Sequence, residues 1–172
     1  MGMRHALYFT AFGALFLLAA CGDSEEETNA NKPPASAEEL YETARGKMAD
    51  KEYKEAVSAF QEVERQHPYS EWAVHAQVMA GYASYKSGKY DDAISTLQRF
   101  VRLYPADDST PYAYCLIALC YYEQISDVGR DQKITEQALQ SLRDVVRRCP
   151  ETEYARDAKI KLDLTVDHLA GK

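Results

Sequence analysis

The chain has 172 residues, 46% of them hydrophobic and 27% charged, and a net charge of −7. That length holds one small solenoid of about six or seven helices and not two globular domains. The acidic balance removes any general electrostatic attraction to nucleic acid or to an anionic membrane surface, so no nucleic-acid partner is expected.

Residues 1–20 read as a signal peptide. Arg4 and His5 give a basic start, and Ala6–Ala20 is an uncharged apolar run of 15 residues. Such a run is long enough for a signal h-region and short for a membrane span. It ends in LLAAC, at Cys21. One reading is an ordinary signal peptide with Cys21 incidental. However, leucine, two small residues and a cysteine directly after the apolar run resemble the bacterial lipobox. That resemblance implies cleavage before Cys21 and acylation of Cys21 on sulfur and nitrogen. Several acyl chains anchor a protein where one is marginal, because each buried methylene contributes about 0.8 kcal/mol. Gly22 rather than aspartate follows Cys21. By resemblance to proteobacterial lipoproteins, that permits export onward to the outer membrane.

The next stretch, GDSEEETNANKPPASAEE, has almost no large apolar side chain. It cannot offset its ordering entropy by burial. We read residues 21–37 as the acylated cysteine and a flexible tether, with a reach of about 25 Å as a coil and twice that when extended.

Residues 38–170 then carry helical periodicity. The first hairpin spans about 38–70. Ser36 and Glu39 form a capping box, and Leu40, Ala44, Met48, Tyr53, Ala56, Val57, Phe60 and Val63 make the apolar stripe. His67 reads as a surface loop residue. The second hairpin spans 72–108, with Trp72 as a packing anchor between hairpins. In it Gly88 ends one helix, Asp91 and Asp92 open the next, and Pro105 stops that one. The third hairpin spans 111–150, and its two predicted helices, Tyr112–Gln124 and Thr135–Cys149, are separated by an inserted polar loop at Ser126–Lys133. A solvated spacer and a functional loop both fit that insertion. A further helix is predicted over 151–170.

The hairpins repeat. A step of 37 takes Ala44 to Gly81 and on to Ala118, Tyr53 to Tyr90, Phe60 to Leu97 and Pro68 to Pro105; a step of 45 takes Leu97 to Leu142 and Pro105 to Pro150. A helical hairpin with small, aromatic, Ala, bulky and Pro residues at fixed places resembles the tetratricopeptide repeat. The expected fold is therefore all-α, a solenoid of about three hairpins plus a C-terminal helix.

In such stacks the first helices of the hairpins line the concave side. Positions offset from Ala44, Gly81 and Ala118 then put Tyr41, Arg45, Tyr82, Tyr85, Tyr112 and Tyr122 in one groove, a face suited to an extended peptide. Filling of inter-helix space, by Tyr85 and Tyr122 especially, is the plainer alternative. Arg99, Arg102, Arg143, Arg147 and Arg148 on the second helices form another candidate, for carboxylates of a partner. A solvated, ion-paired face explains them as well.

No catalytic residues, metal ligands or cofactor are expected. The four histidines are scattered, none lies near a CxxC, and no glycine-rich phosphate loop, serine elbow or HExxH occurs. Cys115, Cys120 and Cys149 read as small buried hydrophobes. A Cys115–Cys120 disulfide is disfavoured, because five helical positions subtend about 140°.

Taken together, the lipobox, the acidic tether, YKEAVSAFQEVERQHPYS, the insertion after YYEQ, and RRCPETEYARDAKIKLD resemble the BamD (YfiO-type) family of outer-membrane assembly lipoproteins. The resemblance covers essentially the whole chain. It implies a lipid-anchored protein on the periplasmic side of the outer membrane, a part in folding and inserting β-barrel proteins, and partnership with BamA and the other subunits of the assembly machine. It further implies that the amino-terminal repeats receive unfolded barrel substrates. The family has about five repeats, and this chain ends near the middle of that array. A fragment and a shortened homologue both fit, and docking of BamA is then in doubt. A general periplasmic adaptor for cell-envelope machinery is the competing function.

Overall fold

The computed structural model describes residues 34–125 and 132–170, the side chains of 168–170 excepted. The signal segment, Cys21, the tether up to Pro33 and most of the inserted loop lie outside the described residues.

Among the described residues seven α-helices follow one another: α1 (Ala37–Ala49), α2 (Tyr53–Gln66), α3 (Glu71–Lys86), α4 (Tyr90–Leu103), α5 (Thr110–Glu123), α6 (Gln132–Arg148) and α7 (Glu153–Ala170). No strand occurs among the described residues. The all-α expectation holds, and the ends of the elements have local causes. Ser36 caps α1: its Oγ accepts the Glu39 N–H at 3.2 Å, and Glu39 Oε2 accepts the Ser36 N–H at 2.8 Å. Those bonds satisfy two donors that a helix start leaves orphaned. Ser70 and Thr152 accept the amides of Ala73 and Ala155 in the same way. α6 begins at Gln132, three residues before the predicted Thr135, so Gln132 and Lys133 are helical rather than loop.

Each helix packs on the next in sequence, and α1, α3, α5 and α7 also pack on one another in order. The even-numbered helices make no such mutual approach. The array therefore curves toward its odd-numbered helices, which form the inner side. The core falls into clusters that each join one hairpin to the next element. Phe60, Val63, Ala76 and Ala80 close the α2–α3 interface; Leu97, Phe100, Ala113 and Leu116 close α4–α5; and Leu142, Val145 and Ala158 close α6–α7. Gly81 is required at its site: a Cβ there would lie 2.6 Å from Leu97 Cγ. The small residue lets α3 and α4 approach closely. An ion pair joins hairpins, Arg99 of α4 gripping Glu64 of α2 with both arms at 2.6 and 2.8 Å.

Candidate functional site

The inner side is aromatic. Tyr82 and Tyr85 lie three residues apart on α3, with ring centroids 6.5 Å apart and planes at 25°. Three helical positions bring side chains to the same face. Tyr82 also lies 6.3 Å from Tyr112 of α5, and Tyr112 lies 5.6 Å from Tyr154 of α7. Tyr85 reaches Tyr90 at the start of α4, 5.9 Å away. The result is a continuous ladder of five rings, Tyr90–Tyr85–Tyr82–Tyr112–Tyr154, running from the second hairpin through the third to α7. All five residues are half-buried. Among the described residues their hydroxyls have no hydrogen-bond partner in the chain.

Burial raises the phenol pKa of Tyr112, with smaller contributions from Tyr82 and Tyr154. Burial does the same at Tyr85, where Glu123 adds to it, and at Tyr154, where Glu153 adds to it. Removing the ring from water disfavours the phenolate, so these hydroxyls stay protonated at neutral pH. The ladder thus offers apolar ring faces, with hydroxyls that burial keeps neutral at Tyr85, Tyr112 and Tyr154.

The six residues predicted for the groove are not all brought together. Tyr82, Tyr85 and Tyr112 share the ladder. Tyr41 stands apart on α1, 5.5 Å from Phe60 and 5.0 Å from Trp72, and its phenol is likewise pushed up by burial. Arg45 points outward and is ion-paired with Glu42 at 2.9 Å. Tyr122 packs in the cluster of Ala118 and Leu142, with Lys161 of α7 5.6 Å from its ring centroid. The groove reading left out Tyr154. A signal for it existed: Trp72, Tyr112 and Tyr154 each stand directly before an alanine that is fully buried, Ala73, Ala113 and Ala155.

The arginine candidates are largely engaged. Arg99 grips Glu64, Arg147 pairs with Asp144 on its own helix, and Arg148 stacks 5.0 Å from the Tyr114 ring. His67 differs from the surface-loop expectation. It is half-buried, and its Nε2 bonds to the Ala35 carbonyl at 2.8 Å, tying the start of α1 to the α2–α3 loop.

Cys115, Cys120 and Cys149 are buried free thiols. Burial pushes Cys115 up to about 11 and Cys120 up to about 12, so neither is a thiolate at neutral pH. No cluster of metal-ligating side chains occurs among the described residues, and no described helix is long and apolar enough to cross a membrane.

Comparison with known proteins agrees with this architecture. The family described as "YfiO: Outer membrane lipoprotein" matches residues 33–172. The "Outer membrane protein assembly factor BamD" of Caulobacter vibrioides is 48% identical over 98% of this chain and 55% of its own length. The Rickettsia prowazekii protein of the same name is 37% identical over 91% of this chain and 61% of its own. That of Neisseria gonorrhoeae is 28% identical over 98% and 67%. The chain thus spans little more than half of the Caulobacter relative. Among solved structures, MamA of Desulfovibrio magneticus is similar in fold, with a TM-score of 0.55, 22% identity and coverage of 79% of this chain and 73% of that one.

Proposed function

The chain belongs to the YfiO outer membrane lipoprotein family, and from that premise we propose that it is a non-enzymatic lipoprotein component of the β-barrel assembly machine. It helps fold and insert outer-membrane β-barrel proteins by binding protein and peptide. The carrying observation is the 48% identity to an outer membrane protein assembly factor over 98% of this chain. Residues 1–20 serve as the signal peptide and 21–37 as the acylated tether. Residues 38–170 form the repeat array, with repeats at about 38–70, 72–108 and 111–150 followed by helix 151–170. Cys21 anchors the protein to the outer membrane, with the array on the periplasmic side. BamA and the other subunits of the machine are its partners.

The inner tyrosines are the proposed substrate face. An unfolded barrel strand presents alternating apolar and polar side chains. Side chains on one face of a strand recur about every 6.6–6.8 Å. The ring spacings of 6.5 Å from Tyr82 to Tyr85 and 6.3 Å from Tyr82 to Tyr112 lie close to that repeat, while those to Tyr90 and Tyr154, 5.9 and 5.6 Å, are shorter. Tyr41 and Arg45 on α1 and Tyr122 near the end of α5 lie outside the ladder and are proposed as separate peptide contacts.

The test is photocrosslinking in cells, with a photoreactive residue in place of Tyr82 and a control in place of Gln98, exposed on the outer helix α4. Adducts with nascent barrel proteins from position 82 and not from 98 are expected. Adducts only with cell-wall or division proteins would overturn the reading and leave a general adaptor.

A further inference from the structure

We propose that one edge of the helical array lies against a phospholipid surface, with Tyr69 and Leu103 seated at the headgroup layer. The proposal rests on the acylation of Cys21 proposed above.

The up-and-down course of the helices gathers the start of α1 and the α2–α3, α4–α5 and α6–α7 loops at one edge. The bond from His67 to the Ala35 carbonyl fixes the beginning of the array beside Pro68 and Tyr69. The segment that leads back to Cys21 is therefore attached at this edge. Cys21 and Pro34 are thirteen positions apart, at most about 45 Å of extended chain. An anchor at Cys21 holds the edge within that distance of the bilayer, so a weak contact suffices to keep it there.

Two exposed apolar side chains lie at the same edge. Among the described residues five large hydrophobics are exposed: Tyr69, Leu103, Ile160, Leu164 and Val166. The last three lie on α7. The first two lie here, and Tyr69 is fully exposed. A tyrosine ring with one apolar end and one polar end prefers the membrane–water interface. Leu103 lies one turn past Arg99, while His67 and Pro68 lie one turn past Glu64. Tyr69 lies in the α2–α3 loop and Leu103 ends α4, both at this edge, and the Arg99–Glu64 pair ties α4 to α2.

Arginines close α2, α4 and α6, at Arg65, Arg102 and Arg147–Arg148. Arg65 and Arg147 are ion-paired with Glu62 and Asp144 on their own helices and Arg148 stacks on Tyr114, so of these Arg102 is the one placed to meet a lipid phosphate. Carboxylates such as Glu71 and Asp108 share the edge, so charge there is mixed. The apolar side chains and the anchor select the surface. The α1–α2 and α3–α4 turns of the opposite edge carry no exposed large hydrophobic among the described residues, while Leu164 and Val166 lie on the later half of α7, which runs toward that edge.

The experiment uses the full acylated chain in vesicles of phosphatidylethanolamine and phosphatidylglycerol. Tyr69→Cys, Leu103→Cys and, on the opposite edge, Asp91→Cys each carry a polarity-sensitive fluorophore. The native thiols at 115, 120 and 149 are buried and stay unlabelled. Spin labels on lipid headgroups are expected to quench positions 69 and 103 at least twofold more than position 91. Equal quenching at all three positions, or none, overturns the proposal. A blue shift at 69 without quenching means that protein covers the edge, a second copy for instance, and overturns it as well. The mass of the mature chain reports acylation separately. An acylated chain that floats with vesicles but is unquenched at 69 sinks this proposal and leaves the anchor standing. A chain without acyl groups sinks both.

Discussion

The first two hairpins have the same turn and use it with different residues. In the first, the amides of Lys51 and Glu52 donate to the carbonyls of Met48 and Lys47; in the second, Gly88 and Lys89 donate to Tyr85 and Ser84. These are equivalent bonds, 37 residues apart. Both central residues adopt positive φ, 63° at Lys51 and 74° at Gly88. The hairpins also differ where their helices cross. Ala44 faces the first core with its Cβ accommodated, whereas Gly81 sits under Leu97 with no room for one. Backbone geometry is thus held constant while side-chain volume is negotiated locally. The inner faces diverge for the same reason. Tyr41 is taken up by Phe60 and Trp72, while Tyr82 continues to Tyr112 and on to Tyr154.

The strongest way to break that equivalence is to empty the cores. Phe60 and its counterpart Leu97 are both fully buried. Phe60→Ala is expected to cost about 3–5 kcal/mol and Leu97→Ala about 2–5 kcal/mol, read by denaturant unfolding. A loss below 1 kcal/mol at either site would mean that the hairpins do not share one kind of core. Gly81→Ala is expected to cost about 1–3 kcal/mol by overpacking against Leu97. Gly46→Ala, where nothing lies within 4 Å of an added Cβ, should gain up to ~1 kcal/mol by helix propensity. Equal responses would refute the close approach of α3 and α4.

The turns give the next pair. Gly88→Ala is expected to lose about 1–2 kcal/mol, because a side chain in the left-handed region crowds the following carbonyl. Lys51→Gly should gain up to ~1 kcal/mol at the same place in the other hairpin. The inter-hairpin ion pair is smaller still. The Arg99 side chain is 43% exposed and that of Glu64 27%, so solvent screening limits Arg99→Ala to about 0.2–1 kcal/mol, shrinking as salt rises.

The least expected effect extends the comparison to the third hairpin, whose core holds thiols. The folded pKa values of Cys115 and Cys120, about 11 and 12, lie above the usual value of 9.0. Between about pH 9 and those values the unfolded chain has lost protons that the folded chain retains. Stability is therefore full below pH 9 and declines as pH rises toward 11 and 12. Melting curves across that range should show the decline, and Cys120→Ala should soften it. An unchanged slope in that variant would show that this thiol does not couple to folding.

Much of this molecule was legible in its residues. The capping box at Ser36, the left-handed glycine at position 88 and the recurrence of Ala44, Gly81 and Ala118 all depend on interactions within a few positions. The start of α6 was misplaced by three residues, because polar Gln132 and Lys133 look alike in a loop and in a solvated first turn. Contacts between distant positions were less accessible. Nothing near Arg99 names Glu64, 35 positions away, and nothing near His67 names the Ala35 carbonyl, 32 positions away. Tyr154 falls within the helix predicted over 151–170, yet its place beside Tyr112 depends on how α7 leans on α5.

The sequence alone determined the helices, their turns, their buried faces and the family resemblance, because 3.6-residue periodicity and capping are local and survive any arrangement of the helices. The tertiary structure decided which tyrosines form one ladder, which arginines are spent on partners within the chain and which edge carries Tyr69 beside the start of α1. Those outcomes depend on the angle and separation of neighbouring hairpins, which are set by how volumes such as those of Gly81 and Leu97 fit together across the interface.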